Sequence, residues 1–219
     1  MRWRWIILIL LLFVFSLKID ARENPEYTNV NQLIGQVIKN ARENDKLKSE
    51  SLVFKRVYTI DNLNDNELPK QGKGTSNEAL PLDINRVLEA SYNFEFAANK
   101  IQFLYEEYVY VVHFWPKDTL PDNDDGYYKA ANRSFGIIYI SKEYLYVRHL
   151  EAIMDKPFNV WGGLGRVRRG KLTFEQKLFP ELNNIVAIDH FTAIVKYRKL
   201  FSEKHENHTF TYSDYKLTK

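Results

Sequence analysis

The sequence predicts a mainly β fold (α+β) with one helix ahead of the strands. Aromatic residues make up 15% of the chain, with 14 Tyr and 14 Phe, and such side chains suit the half-buried surface of a sheet. From residue 92 onward, apolar and polar positions alternate in one short segment after another. Before them, a single stretch repeats its apolar residues at helical spacing.

The chain begins MRWRWIILILLLFVFSLKIDARE. Arg2 and Arg4 precede an apolar run from Trp5 to Leu17, thirteen residues before Lys18 and Asp20 intervene. A spanning helix needs roughly 20 apolar residues, so residues 1–21 read as a secretory signal peptide with cleavage after Ala21. An uncleaved N-terminal anchor is the alternative, and either reading places the body outside the cytoplasm. Residues 22–29 are polar and expected to be flexible. Val30, Leu33, Ile34, Val37, Ile38 and Ala41 then form one stripe, which predicts a helix over Val30–Asn44 with Thr28 or Asn29 as its N-cap.

LVFKRVYTI, Leu52–Ile60, predicts the first strand. Residues 61–80 read as a polar connection and Pro81–Leu88 as a short helix. Further strands are expected at Tyr92–Ala97, Lys100–Tyr105, Tyr108–Pro116, Ser134–Ile140, Tyr144–Met154, Lys171–Leu178, Val186–Lys199 and Thr209–Tyr215. Turns are expected at Asn99-Lys100, Glu106-Glu107 and Lys142-Glu143. No Gly-rich or Pro-rich linker divides them, so residues 30–219 read as a single domain.

The hairpin at Ile138–Arg148 poses a question. Phe135, Ile137 and Tyr139 share one side of its first arm, and Ile138 and Ile140 take the other. An ordinary antiparallel hairpin buries one face and wets the other. Here neither face is polar, and something must cover the second.

Several functions are disfavoured. The chain has no cysteine, hence no disulfide framework, thiolate metal site or cysteine nucleophile. A net charge of +3 is too small to argue nucleic-acid binding. Gly165-Arg-Val-Arg-Arg-Gly-Lys171 has the spacing of a phosphate-binding loop, but Leu172 stands where Ser or Thr must hold magnesium, and a strand pattern follows instead of a helix. Asp118–Gly126 is acidic, yet aligning Gly126 as the sixth loop residue puts Pro121 first and Asn132 twelfth, which fails the calcium-loop pattern. Of five histidines only His205 and His208 are near in sequence, too few ligands for a transition metal. No Gly-x-Ser-x-Gly turn occurs, and adjacent Glu106 and Glu107 would point to opposite faces of a strand. No catalytic residue, metal ligand or cofactor is expected.

One resemblance emerges from the order of the pieces. It is carried by Val111–Phe114 with Pro116, then Gly136–Glu143, then Val147-Arg148 and Glu151. Pro157–Leu164, Gly170-Lys171 and Tyr212-Ser-Asp-Tyr215 continue it. Over about residues 30–215 the chain resembles exported bacterial proteins related to the outer-membrane lipoprotein-sorting carriers (LolA-like), in an uncharacterised branch. The resemblance implies a curved, unclosed antiparallel β-barrel, a half-barrel, with the N-terminal helix packed on its concave side. It further implies a periplasmic protein of a Gram-negative bacterium, anchored to the inner membrane if the signal is uncleaved, whose concavity takes a lipid or lipoprotein acyl chain. By strand alternation the cavity wall is expected at Phe94, Phe96, Ile101, Phe103, Val109, Val111, Ile138, Ile140, Leu145 and Val147. The competing expectation is a structural or adaptor domain of the cell envelope that offers a sheet edge or aromatic patch to an outer-membrane protein partner.

Overall fold

The computed structural model describes residues 26–64, 69–75, 92–118, 129–130 and 132–218. The signal segment 1–21, the short helix expected at Pro81–Leu88 and most of the acidic 118–126 stretch lie outside the described residues.

Helix α1 spans Val30–Ser51 and is capped by Asn29, whose Oδ1 accepts from the backbone N–H of Asn31 at 2.9 Å and of Gln32 at 3.4 Å. Satisfying those orphan donors fixes where the helix starts. The helix continues seven residues beyond the expected Asn44. Its last two turns carry no apolar stripe, so periodicity gave no sign of them; Lys48 pairs there with Asp45 at 3.1 Å.

Among the described residues ten strands follow: β1 (Leu52–Leu63), β2 (Pro69–Thr75), β3 (Tyr92–Leu104), β4 (Glu107–Pro116), β5 (Ser134–Ser141), β6 (Val147–Met154), β7 (Phe158–Val160), β8 (Gly165–Phe179), β9 (Ile185–Lys199) and β10 (Ser202–Leu217). They form one antiparallel sheet in the order β2-β1-β10-β9-β8-β6-β5-β4-β3, with β7 attached to β8. The order ends in β2 and β3, so the sheet is unclosed.

Four expectations are corrected. No turn breaks the chain at Asn99-Lys100; β3 runs through, and a register shift between Phe96 and Ile101 absorbs the polar residues as a bulge. The next turn sits at Tyr105-Glu106, both at positive φ. Tyr144 does not begin β6. It belongs to a wider turn, where Ser141 N–H donates to the Tyr146 carbonyl at 2.9 Å and Leu145 takes a φ of 52°. The polar stretch after Ile60 is also partly strand, since β1 extends to Leu63 and β2 pairs back onto it.

Register explains how the strands make a core. Phe96, Val112, Ile138, Leu150, Phe174, Phe191, Phe210 and Tyr58 are successive partners across eight strands. All eight belong to or pack against one apolar core that includes Leu33, Ile34 and Val37 of α1. The sheet curls about the helix, which touches β3 near one edge and β1 near the other. This is the unclosed, curled sheet with a concave-side helix that the sequence led us to expect.

Candidate functional site

The concave face is an apolar trough. Tyr110, Ile138, Ile140, Phe174 and Phe210 are at most 1% exposed along it. Its cover is narrow, because among the described side chains of α1 deep burial is confined to Leu33, Ile34 and Val37, little more than one turn. From Asn40 onward polar contacts hold the helix. The Asn40 amide donates to the carbonyls of Leu145 at 3.3 Å and Tyr144 at 3.5 Å. Asn44 pairs with the Val186 backbone in both directions, donating at 2.7 Å and accepting at 2.9 Å. Leu47 is left half exposed. At the other end Tyr27 N–H approaches the Tyr110 hydroxyl at 3.4 Å, and Lys100 pairs with Glu26 at 3.0 Å. That lysine holds the Glu26 carboxyl below its ordinary range.

The ten expected wall residues divide. Ile138, Ile140, Leu145 and Val147 are buried in the trough core, and Phe94, Phe96 and Ile101 pack on it from β3. Val109 and Val111 alternate with Tyr110 and Val112, so they are buried on the opposite face. Phe103 pairs with Tyr108 across the end of the β3–β4 hairpin, and both rings are more than 60% exposed. Sequence reasoning missed Phe174, Phe191 and Phe210, which supply the far half of the trough. Their alternation was visible, but their alignment needed the register.

The convex face closes differently. Tyr139, His149, Glu175, His190 and Thr211 are successive partners there. The Tyr105 ring stacks on His149 with centroids 5.2 Å apart, and Arg148 lies over Tyr105 at 5.0 Å. His149 Nε2 meets Glu151 at 3.1 Å. Its Nδ1 lies 3.4 Å from Glu175, close enough for ionic attraction but not aligned for a hydrogen bond. Tyr146 donates to Glu107 at 3.1 Å, and Arg148 reaches the same carboxylate at 3.3 Å. Burial, then the neighbouring Glu107 charge, pushes the Tyr146 phenol well up; burial foremost also raises Tyr105 and Tyr139.

This face answers the hairpin question: polar-tipped aromatic side chains and ion pairs cover it. Although His149 and His190 flank Glu175, His190 contacts Thr192 at 2.9 Å on its own strand and His149 lies beneath Tyr105. Among the described residues no group of acids and histidines is arranged to hold a metal. His205 and His208 fall on opposite faces of β10: His208 bonds the Tyr58 hydroxyl at 2.7 Å, while His205 is buried. The phosphate-loop lookalike is the first half of β8. A separate polar hollow of about 370 Å³ is lined by Lys129, Arg133, Pro157, Phe158, Asn159 and Arg166.

No protein-family model matches the chain, and no curated protein does. One solved structure is similar, a Vibrio parahaemolyticus domain provisionally described as an outer membrane lipoprotein-sorting protein. It shares 10% identity, with 84% of this chain and 93% of that one covered, at a TM-score of 0.38. The likeness is one of fold, distant, and it carries no functional argument. Among the described residues no helix is long and apolar enough to cross a membrane.

Proposed function

We propose that the chain is a non-enzymatic cell-envelope protein whose concave trough binds an acyl chain of a lipid or lipoprotein, with α1 as a displaceable cover. The observation that carries this reading is the mismatch between a trough eight strands wide and a cover that buries three apolar side chains deeply. Lifting α1 re-exposes those three, at about 1.5–3 kcal/mol each, together with the partly buried Val30 and Ile38. A long acyl chain entering the trough returns about 0.8 kcal/mol for each buried methylene. An acyl chain of some sixteen carbons therefore competes with the helix for the trough, and no fixed polar group is needed. That is consistent with the lack of any catalytic motif in the sequence.

A tethered helix tests this. The chain has no cysteine, so Asn44→Cys with Val186→Cys can be joined uniquely by a short bis-maleimide. The unlinked protein is expected to bind a fluorescent fatty acid and the linked protein to lose it. Equal binding in both forms would contradict displacement of α1. No binding in the unlinked and unmutated forms would contradict the acyl reading itself.

A second reading rests on β1. Among the described residues Leu52–Tyr58 pairs only with β10, because β2 joins β1 from Thr59 onward. Val53, Phe54 and Val57 along it are nearly half exposed. An outer-membrane protein could add a strand at that edge. Hydrogen-exchange protection of β1 amides on adding outer-membrane proteins, abolished by Val57→Pro, is the expected sign.

A further inference from the structure

One end of the sheet carries an unusual combination of charge and exposed apolar surface. β9 turns into β10 through Leu200-Phe201, with Lys199 and Ser202 paired across the turn. Tight hairpin turns of this length favour Gly, Asn or Asp, because φ must be positive in at least one position. Here Leu200 holds a φ of 54° and Phe201 is fully exposed. Leu164, whose carbonyl accepts from Leu200 N–H at 2.9 Å, adds a third side chain at 64% exposure. Two bulky apolar residues thus occupy a turn that small polar ones would fit at lower cost; Phe201 gains no burial in this fold and Leu200 stays more than half exposed.

The surrounding charge is one-sided. Residues 164–171 and 196–204 hold eight basic side chains and one acid, Glu203, a net of +7. The whole chain is +3, so all the rest is −4. Arg166 and Arg198 are cross-strand partners, and both are exposed, as are Lys199 and Lys204. Glu203 pairs with Arg168. An apolar wedge set in a basic collar matches the layered chemistry of an anionic bilayer, with acyl region beneath a negative surface. A protein pocket would have to fit three splayed side chains, whereas a bilayer deforms around them.

We propose that the Leu164–Leu200–Phe201 tip docks the protein onto an anionic lipid bilayer, its apolar side chains entering the interface while the arginine and lysine collar meets the lipid phosphates. The site is distinct from the concave trough, and docking does not require that the trough bind an acyl chain.

The absence of cysteine allows a direct readout. Ser202→Cys in the full chain, labelled with an environment-sensitive fluorophore, reports the tip; Glu181→Cys, exposed on the turn between β8 and β9, reports the opposite end. Vesicles of phosphatidylcholine with about 30% phosphatidylglycerol are expected to blue-shift the label at 202 and leave that at 181 unchanged. About 0.5 M salt should reverse much of the shift. Leu200→Gly with Phe201→Ser removes the wedge and relieves the positive φ, so it should fold at least as well while the lipid needed for half the shift rises about tenfold or more. Should that variant melt early, Arg166→Gln with Arg198→Gln tests the collar on exposed positions.

No shift at 202, equal shifts at both ends, or a shift insensitive to both variants would overturn the proposal. A shift that depends on protein concentration without lipid would overturn it too, by assigning the tip to a second copy of the chain.

Discussion

Val112, Ile138, Leu150, Phe174, Phe191, Phe210 and Tyr58 line the concave side of the sheet, and their immediate chain neighbours Val111, Tyr139, His149, Glu175, His190, Thr211 and Val57 line the convex side. The two rows cross the same strands one residue apart, yet they solve burial in opposite ways. The concave row is uniformly apolar apart from one tyrosine hydroxyl, and it needs a helix to keep water out. The convex row mixes rings with an acid, a threonine and two valines, and Tyr105 stacks over His149 within it. The difference shows why β4, β5 and β6 look apolar on both faces while, among the described residues, only one face carries a helix. The proposed acyl site lies on the concave face, where α1 covers the apolar surface.

Truncation should separate the rows most strongly. Phe174→Ala is expected to cost about 3–5 kcal/mol by cavity formation under α1, read by urea unfolding. Glu175→Ala, one position along, should cost below about 1 kcal/mol because it removes a partly exposed side chain that makes no aligned hydrogen bond to His149. Equal losses would break the distinction. Gly136→Ala comes next: a Cβ there would lie 1.9 Å from the Glu151 carbonyl oxygen. Forcing β5 and β6 apart should cost about 1–3 kcal/mol, visible as a lower denaturant midpoint.

A smaller change sharpens the role of the cover. Asn44→Ala removes both hydrogen bonds to Val186 and should cost about 1–2 kcal/mol. The same loss eases lifting of α1, so fatty-acid affinity should rise as stability falls. A parallel fall in both would argue that α1 forms part of the binding surface.

The smallest effect is alkaline. Burial, followed by interaction with Glu206, pushes the Tyr197 phenol to about 12, and Tyr146 is raised in the same direction. A raised folded-state value means the stabilising neutral form is fully present below the unfolded value of about 10. Stability is then lost as the pH climbs from there through the folded value. Melting temperatures should decline from about pH 10 to 12, and Tyr146→Phe should flatten the decline.

Much of the fold was legible locally. The stripe from Val30 to Ala41 gave the helix, and alternation gave nearly every strand segment from Tyr92 onward. What stayed hidden depended on pairing. Nothing in YNFEFAANKIQFL signals that its polar centre is a bulge and not a turn, because both place polar residues between apolar arms. The trough was half legible: Ile138 and Ile140 were placed with it, but alternation along β4 could not say which parity faces inward, and Val109 and Val111 belong to the convex face. Phe174, Phe191 and Phe210 could join it only once register aligned strands distant in sequence. The basic, apolar tip was written in the sequence as GRVRRGK and YRKLF, but its meaning required the two segments to meet.

The most direct measurement is native mass spectrometry, with lipid extraction, of the protein purified without detergent from a bacterial periplasm. The account predicts a stoichiometric acyl-containing species that, once extracted, does not re-form when α1 is cross-linked to β9 through Asn44→Cys and Val186→Cys. Only the ligand-free mass, persisting after incubation with excess fatty acid and phospholipid, would contradict it.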